Sequence, residues 1–306
     1  MRRRPASPLP QRLGLDPVRL RTPEDGRWAT MRDHLVERLP RVPAERVDAM
    51  LAERRVVDAD GPLGPDSPFR PGTYLWFHRD LPEEVPVPFG IGIVHRDDDL
   101  LVVDKPHFLA TIPRGRHVAE TALVRLRRDL DMPELSPAHR LDRVTAGLVM
   151  FVVRRERRGA YQTLFRDRRV HKVYEAVAPH DPELRLPLTV RSRIVKERGE
   201  VQAREVDGPP NAETLVERVE VRGGLARYRL TPRTGRTHQL RLHMSGLGVP
   251  ILHDDFYPEV HEQALDDFSR PLQLLAAELC FTDPITGRER RFTSGLRLRD
   301  LPDSAP

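Results

Sequence analysis

Cysteine, lysine and long apolar runs are scarce in this 306-residue sequence. Cys280 is its single cysteine, which excludes an intrachain disulfide and a cysteine-rich metal motif. No apolar run approaches the roughly 18 residues of a membrane span. At the N-terminus, proline and arginine stand where a signal peptide would need its apolar segment. We therefore expect a cytoplasmic protein that has no membrane partner.

Lysine accounts for three of the 51 basic residues, at positions 105, 172 and 196. Arginine does not titrate near pH 10, so the isoelectric point of about 9.8 overstates a net charge of only +5. Guanidinium groups bind phosphate through two parallel hydrogen bonds and stack on bases. A surface dominated by arginine therefore suits RNA better than a membrane.

The chain divides by pattern into four parts. Residues 1–22 are rich in proline, arginine and leucine without a period, which predicts a flexible arm. Residues 23–80 show two helix patterns and a short hairpin, too small a core for an enzyme. Three prolines in residues 81–88 disfavour both helix and central strand, so we predict an extended linker. Residues 89–306 form the larger domain.

The small part, residues 23–80, resembles the RNA-binding module of a small-subunit ribosomal protein, of tyrosyl-tRNA synthetases and of many RNA-modifying enzymes. The resemblance is one of pattern rather than of signature residues. This copy is also less basic than such a module would be. The alternative is an accessory domain that makes no RNA contact.

A polar loop and an apolar run stand together in the middle of the chain. Residues 148–153 are all apolar, with the length and β-branched content of a buried strand. In the preceding loop, Asp142 lies between Arg140 and Arg143, and nearby positive charge favours the ionised carboxylate. Asp142 is therefore predicted to be an anion. The alternative is a surface ion pair that caps a turn.

Two later segments are suited to an anionic partner. Lys172 and Tyr174 are two apart in a predicted strand and share a face, where a tyrosine can stack a base and a lysine can meet a phosphate. An ordinary half-buried strand edge is an equal alternative. Arg233 and Arg236 precede a short helix, for which we predict Thr237 as the N-cap. The N-terminus of a helix attracts anions.

Residues 154–169 form a predicted helix with seven arginines and two acids. Neutralising phosphates releases counterions, so this face suits RNA, although a solvated Arg/Glu face is an equal alternative. Metal binding is not expected. His238 and His243 lack a third ligand, and His261 lacks the second histidine of a metalloprotease motif.

Four short blocks carry the most specific information. They are Asp104-Lys105-Pro106, His139-Arg140-Leu141-Asp142-Arg143-Val144-Thr145-Ala146-Gly147-Leu148, Lys172-Val173-Tyr174 and Thr234-Gly235-Arg236-Thr237-His238-Gln239-Leu240-Arg241-Leu242-His243. In this order and spacing, and followed by Leu247-Gly248-Val249-Pro250-Ile251, they resemble the RluA-type family of RNA pseudouridine synthases. The agreement extends over about residues 90–295.

The resemblance implies an α+β fold with a mixed, largely antiparallel sheet and flanking helices. It also implies that a uridine in RNA is isomerised, with its base rejoined to the ribose through carbon five. Asp142 matches the family's essential aspartate, and a carboxylate nucleophile divides one difficult step into easier ones. Attack on the ribose and formation of a glycal both stay open. No metal or organic cofactor is expected, since nothing is oxidised and no group is imported.

The resemblance also assigns roles to other residues. Arg241 would pair with Asp142, Tyr174 would lie against the target uracil, and Leu240 would supply apolar contact. Arg140 would fill the gap left when the nucleotide is flipped out of the RNA. The expected contacts to the RNA backbone are Lys105, Lys172, Arg233 and Arg236.

The sequence departs from the family's usual residues at several places. This chain has Ala146 where the family usually has serine, His253 where it has glycine, and Leu275 where it has histidine. Residues 107–117 also lack the glycine that usually follows soon after the first block, since their one glycine is Gly115. None of these positions belongs to the aspartate, tyrosine and arginine set, so we expect activity to be retained.

Two other functions stay open. One is an RNA-binding protein on the same scaffold without catalysis, and the other is a hydrolase or metal enzyme that uses its histidines. The presence of Asp142, Tyr174 and Arg241 favours the isomerase over the first. Ribosomal RNA and tRNA are both consistent substrates, and residues 23–80 favour ribosomal RNA. The default oligomeric state is a monomer.

Overall fold

The computed structural model describes residues 5–81 and 83–299, and contacts divide the chain into two compact units between Glu83 and Glu84. Each unit has its own apolar core. Among the described residues, no helix is both long enough and apolar enough to cross a bilayer.

The first unit contains two strands and two helices among its described residues: β1 (Val18–Arg21), α1 (Met31–Arg38), α2 (Ala44–Ala52) and β2 (Tyr74–Phe77). Strands β1 and β2 pair antiparallel. Thr30 and Asp33 begin α1 with a capping box, in which each side chain accepts the backbone N–H of the other. The helices and the closing strand agree with the sequence pattern.

The prediction of a flexible arm over residues 1–22 was wrong for residues 18–21, which are strand β1. Residues 1–4 of that arm lie outside the described residues. Residues 54–61 have the sequence pattern of a strand that enters a turn, but Val57 makes only isolated bridges to Pro62 and Trp76.

The second unit is built on a sheet with eleven strands among the described residues. They are β3 (Gly92–Arg96), β4 (Leu100–Lys105), β5 (Ser136–Pro137), β6 (Ala146–Val152), β7 (His171–Pro179), β8 (Leu188–Val195), β9 (Arg204–Val206), β10 (Ala212–Arg222), β11 (Leu225–Pro232), β12 (Leu274–Thr282) and β13 (Glu289–Thr293). The α-helices among the described residues of this unit are α3 (Ala122–Asp129), α4 (Arg158–Arg166) and α5 (Gln239–Gly246), and a 3-10 turn, Arg155–Arg157, precedes α4.

The strand order in this sheet is β3-β4-β6-β12-β7-β11-β10-β8-β9, with β13 beside β12 and β5 beside β6. Strands β6 and β12 run parallel, whereas the other described pairs run antiparallel. The predicted α+β class with a mixed, largely antiparallel sheet is confirmed.

Strand β6 is buried over its whole length, as its apolar run predicts. Gly147 has φ 107°, and a Cβ atom there would lie 2.3 Å from the Ala276 carbonyl oxygen. Only glycine allows β6 and β12 to approach this closely while adopting that conformation. Strand β6, which follows the Asp142 loop, is therefore held at a fixed position against β12 in the core.

Two of the departures from the family pattern are neighbours in space. Ala146 and Leu275 are register partners on β6 and β12, within one apolar cluster. An apolar pair thus stands where two polar residues are usual. His253, which replaces a glycine, has φ 60°, the left-handed region that glycine adopts without cost.

The later half of the predicted linker packs onto the second unit. The Glu84 carboxylate accepts hydrogen bonds from the backbone N–H groups of Val118, Ala119 and Glu120. The Glu120 carboxylate in turn accepts the Val87 N–H at 2.9 Å. Residues 84–87 are therefore attached to the segment that precedes α3.

Candidate active site

A cleft of about 740 Å³ lies in the second unit. Its walls come from residues 110–117, the β5–β6 loop, strand β7 and the β11–α5 loop. The lining carboxylates are Asp142 and Glu200. The lining cations are Arg114, Arg140, Arg143, Arg166, Arg168, Lys172, Lys196, Arg233, Arg236 and Arg241. This excess of positive charge is suited to an anionic polymer.

The backbone around Asp142 is held by three side chains from the preceding segment. The Thr111 hydroxyl donates to the Leu141 carbonyl at 2.8 Å and accepts the Leu141 N–H at 3.1 Å. His107 Nδ1 lies 2.8 Å from the Val144 carbonyl, and Lys105 Nζ donates to the Arg143 carbonyl at 3.2 Å. These contacts fix the residues on both sides of Asp142.

The Asp142 carboxylate itself has no hydrogen bond or ion pair among residues 5–81 and 83–299. Its charge nevertheless acts across the cleft. It adds to the burial that raises the pKa of Tyr174, opposes the burial that lowers the pKa of His238, and adds a small contribution to the raised pKa of Arg241. The structure thus presents one carboxylate on a fixed backbone with its oxygen atoms available to a substrate. This is the arrangement that a nucleophile or a base requires.

The predicted pairing of Arg241 with Asp142 was wrong for this structure. Arg241 is 1% exposed, and its guanidinium forms ion pairs with Asp254 and Asp255. The contact from Arg241 Nε to the Asp254 carboxylate measures 2.7 Å. Burial lowers the pKa of Arg241, but its acidic partners more than offset this, so the pKa is raised and the charge is permanent. Two acids on one buried guanidinium leave Asp142 without a direct partner.

The Gln239 side chain joins the β11–α5 loop to strand β10. Its carbonyl oxygen accepts from the Thr234 hydroxyl at 2.7 Å and the Arg236 N–H at 3.0 Å. Its amide nitrogen donates to the Glu213 carbonyl and the Thr214 hydroxyl. A buried amide with its hydrogen bonds satisfied in this way gives a loop one conformation. The loop therefore presents Arg233 and Arg236 from a rigid base.

The residues expected to contact the base lie together in the cleft. Tyr174 on β7 is half-buried, Leu240 on α5 is 7% exposed, and Arg140 is exposed at the start of the Asp142 loop. Burial and the charge of Asp142 raise the pKa of Tyr174, so its phenol stays neutral. Tyr174 thus offers an aromatic ring rather than a base.

The four expected backbone contacts divide into two kinds. Arg233 and Arg236 are exposed and Lys172 is half-buried, and all three line the cleft. Lys105 is 0% exposed, and its ammonium donates to the carbonyls of Pro106, Leu109 and Arg143. The prediction that Lys105 contacts RNA was therefore wrong.

The arginine-rich segment 154–169 has mixed roles. Arg154 and Arg157 lie 3.1 and 3.5 Å from the Asp99 carboxylate, away from the cleft. Arg166 and Arg168, at the other end, line the cleft. The structure thus directs one end of this segment, rather than a whole helix face, toward an anionic ligand.

Helix α5 begins one residue later than the Thr237 cap predicts. His238 is the N-cap, has φ 56°, and makes no capping hydrogen bond through its side chain. His243 Nδ1 and Nε2 lie 2.9 and 3.1 Å from the hydroxyls of Thr214 and Ser192. Within residues 5–81 and 83–299, no group of three or more His, Cys, Asp or Glu side chains is suited to a metal ion.

Sequence reasoning missed Thr111, Gln239, Asp254, Asp255 and Tyr257. Gln239 stands inside a block that the sequence marks as specific, so its position was a signal. Asp254 follows one of the noted departures, His253. The contacts of Thr111 with Leu141 and of Asp254 with Arg241 become visible only after folding.

The comparisons with known proteins agree with this site. A family model described as RNA pseudouridylate synthase matches residues 99–246. The chain is 36% identical over 215 residues to the dual-specificity RNA pseudouridine synthase RluA of Pasteurella multocida, an alignment that covers 64% of this chain and 89% of that protein. It is 34% identical over 224 residues to RluA of Haemophilus influenzae, covering 67% of this chain and 92% of the relative.

Solved structures give the same result for the fold. Human RNA pseudouridylate synthase domain containing 4 is 25% identical with a TM-score of 0.52, covering 68% of this chain and 89% of that chain. Human RNA pseudouridylate synthase domain containing 1 is 24% identical with a TM-score of 0.53, covering 72% of this chain and 94% of that chain. The chain therefore belongs to the RluA-type family of RNA pseudouridine synthases, enzymes that isomerise uridine within RNA.

Proposed function

We propose that Asp142 is the catalytic carboxylate that converts a flipped-out uridine of a structured RNA into pseudouridine. The observation that carries this proposal is its environment. The backbone on both sides is fixed by Thr111, His107 and Lys105, whereas the carboxylate has no direct partner among the described residues. A group that is positioned but not neutralised is suited to react with a substrate.

The glycosidic bond can break by two routes that use the same carboxylate. In one, an Asp142 oxygen attacks C1′ and uracil leaves with the electron pair of the C1′–N1 bond. In the other, Asp142 removes the ribose C2′ proton and a glycal forms. Deuterium at C2′ distinguishes them, because only the second route breaks the C2′–H bond.

The neighbouring side chains support a flipped nucleotide. Tyr174 offers a neutral ring for stacking, and Leu240 offers apolar surface beside it. Arg140 is exposed at the entrance to the Asp142 loop, where a guanidinium can replace the stacking of the extruded base. The exposed cations of the lining, such as Arg233 and Arg236, then meet the phosphates of the flanking nucleotides.

Ribosomal RNA is the proposed substrate, and tRNA is the second candidate. The pattern of the first unit, two helices and a closing strand, supports ribosomal RNA. The second candidate is supported by bacterial relatives whose names describe a dual-specificity RNA pseudouridine synthase. Two substrates are also consistent with a cleft whose charges mostly suit phosphates rather than particular bases.

The test is to express the chain in cells that lack their own pseudouridine synthases and to map pseudouridine in ribosomal RNA and tRNA. Carbodiimide modification followed by primer extension locates each site. We expect new sites with the wild type and none with Asp142→Asn, which keeps the side-chain shape but removes the charge. Asp266→Asn, an exposed aspartate outside the cleft, is the matched control and should behave like the wild type.

Identical maps with and without the wild-type chain would refute the enzymatic proposal. A fully active Asp142→Asn variant would refute the role of Asp142 alone. If new pseudouridines appear only in tRNA, the proposed substrate is tRNA rather than ribosomal RNA.

A further inference from the structure

His238 stands at the N-terminal end of α5 and lines the same cleft as Asp142. Its Nδ1 lies 3.0 Å from the Tyr257 hydroxyl oxygen. That oxygen also accepts the Ala203 N–H at 2.8 Å, and the hydroxyl donates to the Ala203 carbonyl at 2.8 Å. The Tyr257 hydroxyl thus contacts His238 Nδ1 and both backbone polar groups of Ala203.

These contacts fix the tautomer of His238. A tyrosine hydroxyl has one proton, and the Ala203 carbonyl receives it. Burial raises the pKa of Tyr257 to about 12, so the hydroxyl keeps that proton at neutral pH. The contact with His238 must therefore use the Nδ1–H as its donor. Nε2 is then the nitrogen with a free lone pair, which makes it a base.

Burial favours the neutral form of the His238 imidazole. Burial has the largest influence and lowers its pKa; the charges of Asp142 and, less strongly, Asp254 raise it, whereas those of Arg241 and Lys196 lower it further. A neutral imidazole can accept a proton, whereas an imidazolium cannot. Asp142 and His238 both line this cleft.

Other titratable groups of the cleft are poorer bases. His139 Nε2 already accepts the Met150 N–H at 3.1 Å. Burial lowers the pKa of Lys172 only to about 8, so its amine is protonated at neutral pH. The charges that act on His117 come from Arg143, Arg116 and Glu84 rather than from Asp142. Among these groups, His238 combines a free lone pair with a place in the cleft lining where the charge of Asp142 acts on it.

The isomerisation requires such a base. When C1′ has bonded to C5 of uracil, C5 carries both C1′ and its original hydrogen. The C5–H bond must break, its electron pair restores the C5–C6 double bond, and N1 takes up one proton. One proton is thus lost and one is gained, so the reaction stays balanced without an oxidant or a co-reactant.

We infer that His238 Nε2 removes the C5 proton of the target uracil, while Tyr257 is a positioning residue that holds the imidazole through Nδ1. This inference rests on the proposed function. It separates two duties within the cleft, because Asp142 then acts at the ribose and His238 acts at the base.

The test is single-turnover pseudouridine formation on RNA that carries either hydrogen or deuterium at C5 of the target uridine. His238→Asn is the informative variant, because asparagine tolerates the left-handed backbone at this position and can still donate toward Tyr257. It has no counterpart of Nε2. We expect the rate to fall about 100-fold or more with RNA affinity unchanged. The C5 deuterium effect should exceed that of the wild type, since proton removal becomes rate-limiting.

Two further variants keep the test decisive. Tyr257→Phe should give a smaller loss of rate and an increased deuterium effect, since the imidazole remains but is no longer oriented. His261→Asn, at an exposed histidine outside the cleft lining, should match the wild type. A His238→Asn rate within twofold of the wild type, or a slow rate without an increased deuterium effect, would overturn the inference. An inactive wild type would instead overturn the proposed function, and this inference with it.

Discussion

Asp142 and Arg241 line one cleft, yet their surroundings are opposite. Around Asp142 the backbone is fixed and the carboxylate has no direct partner among the described residues. The Arg241 guanidinium is almost fully buried and is bound by Asp254 and Asp255. The difference separates two tasks, because satisfied buried charges hold the cleft together while one unsatisfied charge is available for chemistry.

Replacing Arg241 should have the largest effect on stability. In Arg241→Met, the buried Asp254 carboxylate loses its partner, and breaking a buried ion pair in this way costs about 3–5 kcal/mol. The measurement is the free energy of unfolding in urea. Arg229→Met, at an exposed pair with Glu278, should change it by less than about 0.5 kcal/mol. Equal losses of unfolding free energy in the two variants would contradict the prediction that the buried ion pair contributes more stability than the exposed one.

Replacing Lys105 tests the fixed backbone of the Asp142 loop. Lys105→Met leaves three buried carbonyls without their ammonium donor, which should cost about 1–3 kcal/mol. The activity should fall as well, because the Arg143 carbonyl beside Asp142 is released. Full activity in this variant would show that the loop is held by Thr111 and His107 alone.

Lys105 also gives stability a pH dependence of known sign. Burial lowers its pKa to about 7, well below the ordinary value of 10.5 that applies to the unfolded chain. Between these two values the unfolded chain binds a proton that the folded chain has lost, so raising the pH favours folding. The free energy of unfolding of the wild type, measured relative to Lys105→Met, should therefore increase from pH 7 to pH 10. If the difference in unfolding free energy between the wild type and Lys105→Met stays constant over this pH range, the lowered pKa of Lys105 is contradicted.

The smallest expected effect concerns Lys172, a cation of the cleft that is neither fully buried nor paired with an acid. Burial lowers its pKa to about 8, so the ammonium is charged below pH 8 and neutral above it. RNA affinity should fall between pH 7 and pH 9. In Lys172→Met this dependence should weaken, and the slope of log affinity against log salt should decrease by about 0.7–0.9. Arg185→Met, outside the cleft lining, should leave both unchanged.

Much of the scaffold follows from local pattern. The apolar run at residues 148–153 predicts β6, and the run before Lys105 predicts β4, because a buried strand needs little more than continuous apolar side chains. The order of the specific blocks places Asp142, Tyr174 and Arg241 together through family resemblance. Strand β1 escaped prediction because its partner β2 lies more than 50 residues away.

The sequence by itself determined the fold class, the family and several residues that line the cleft, among them Asp142, Tyr174 and Arg241. It did so because apolar periodicity and specific blocks are local properties of the chain. Tertiary structure decided how those residues are used. Folding buries Lys105, pairs Arg241 with Asp254 and Asp255, and brings His238 into hydrogen-bond contact with Tyr257. Burial and pairing depend on segments distant in sequence, and they determine which charged group stays available to react.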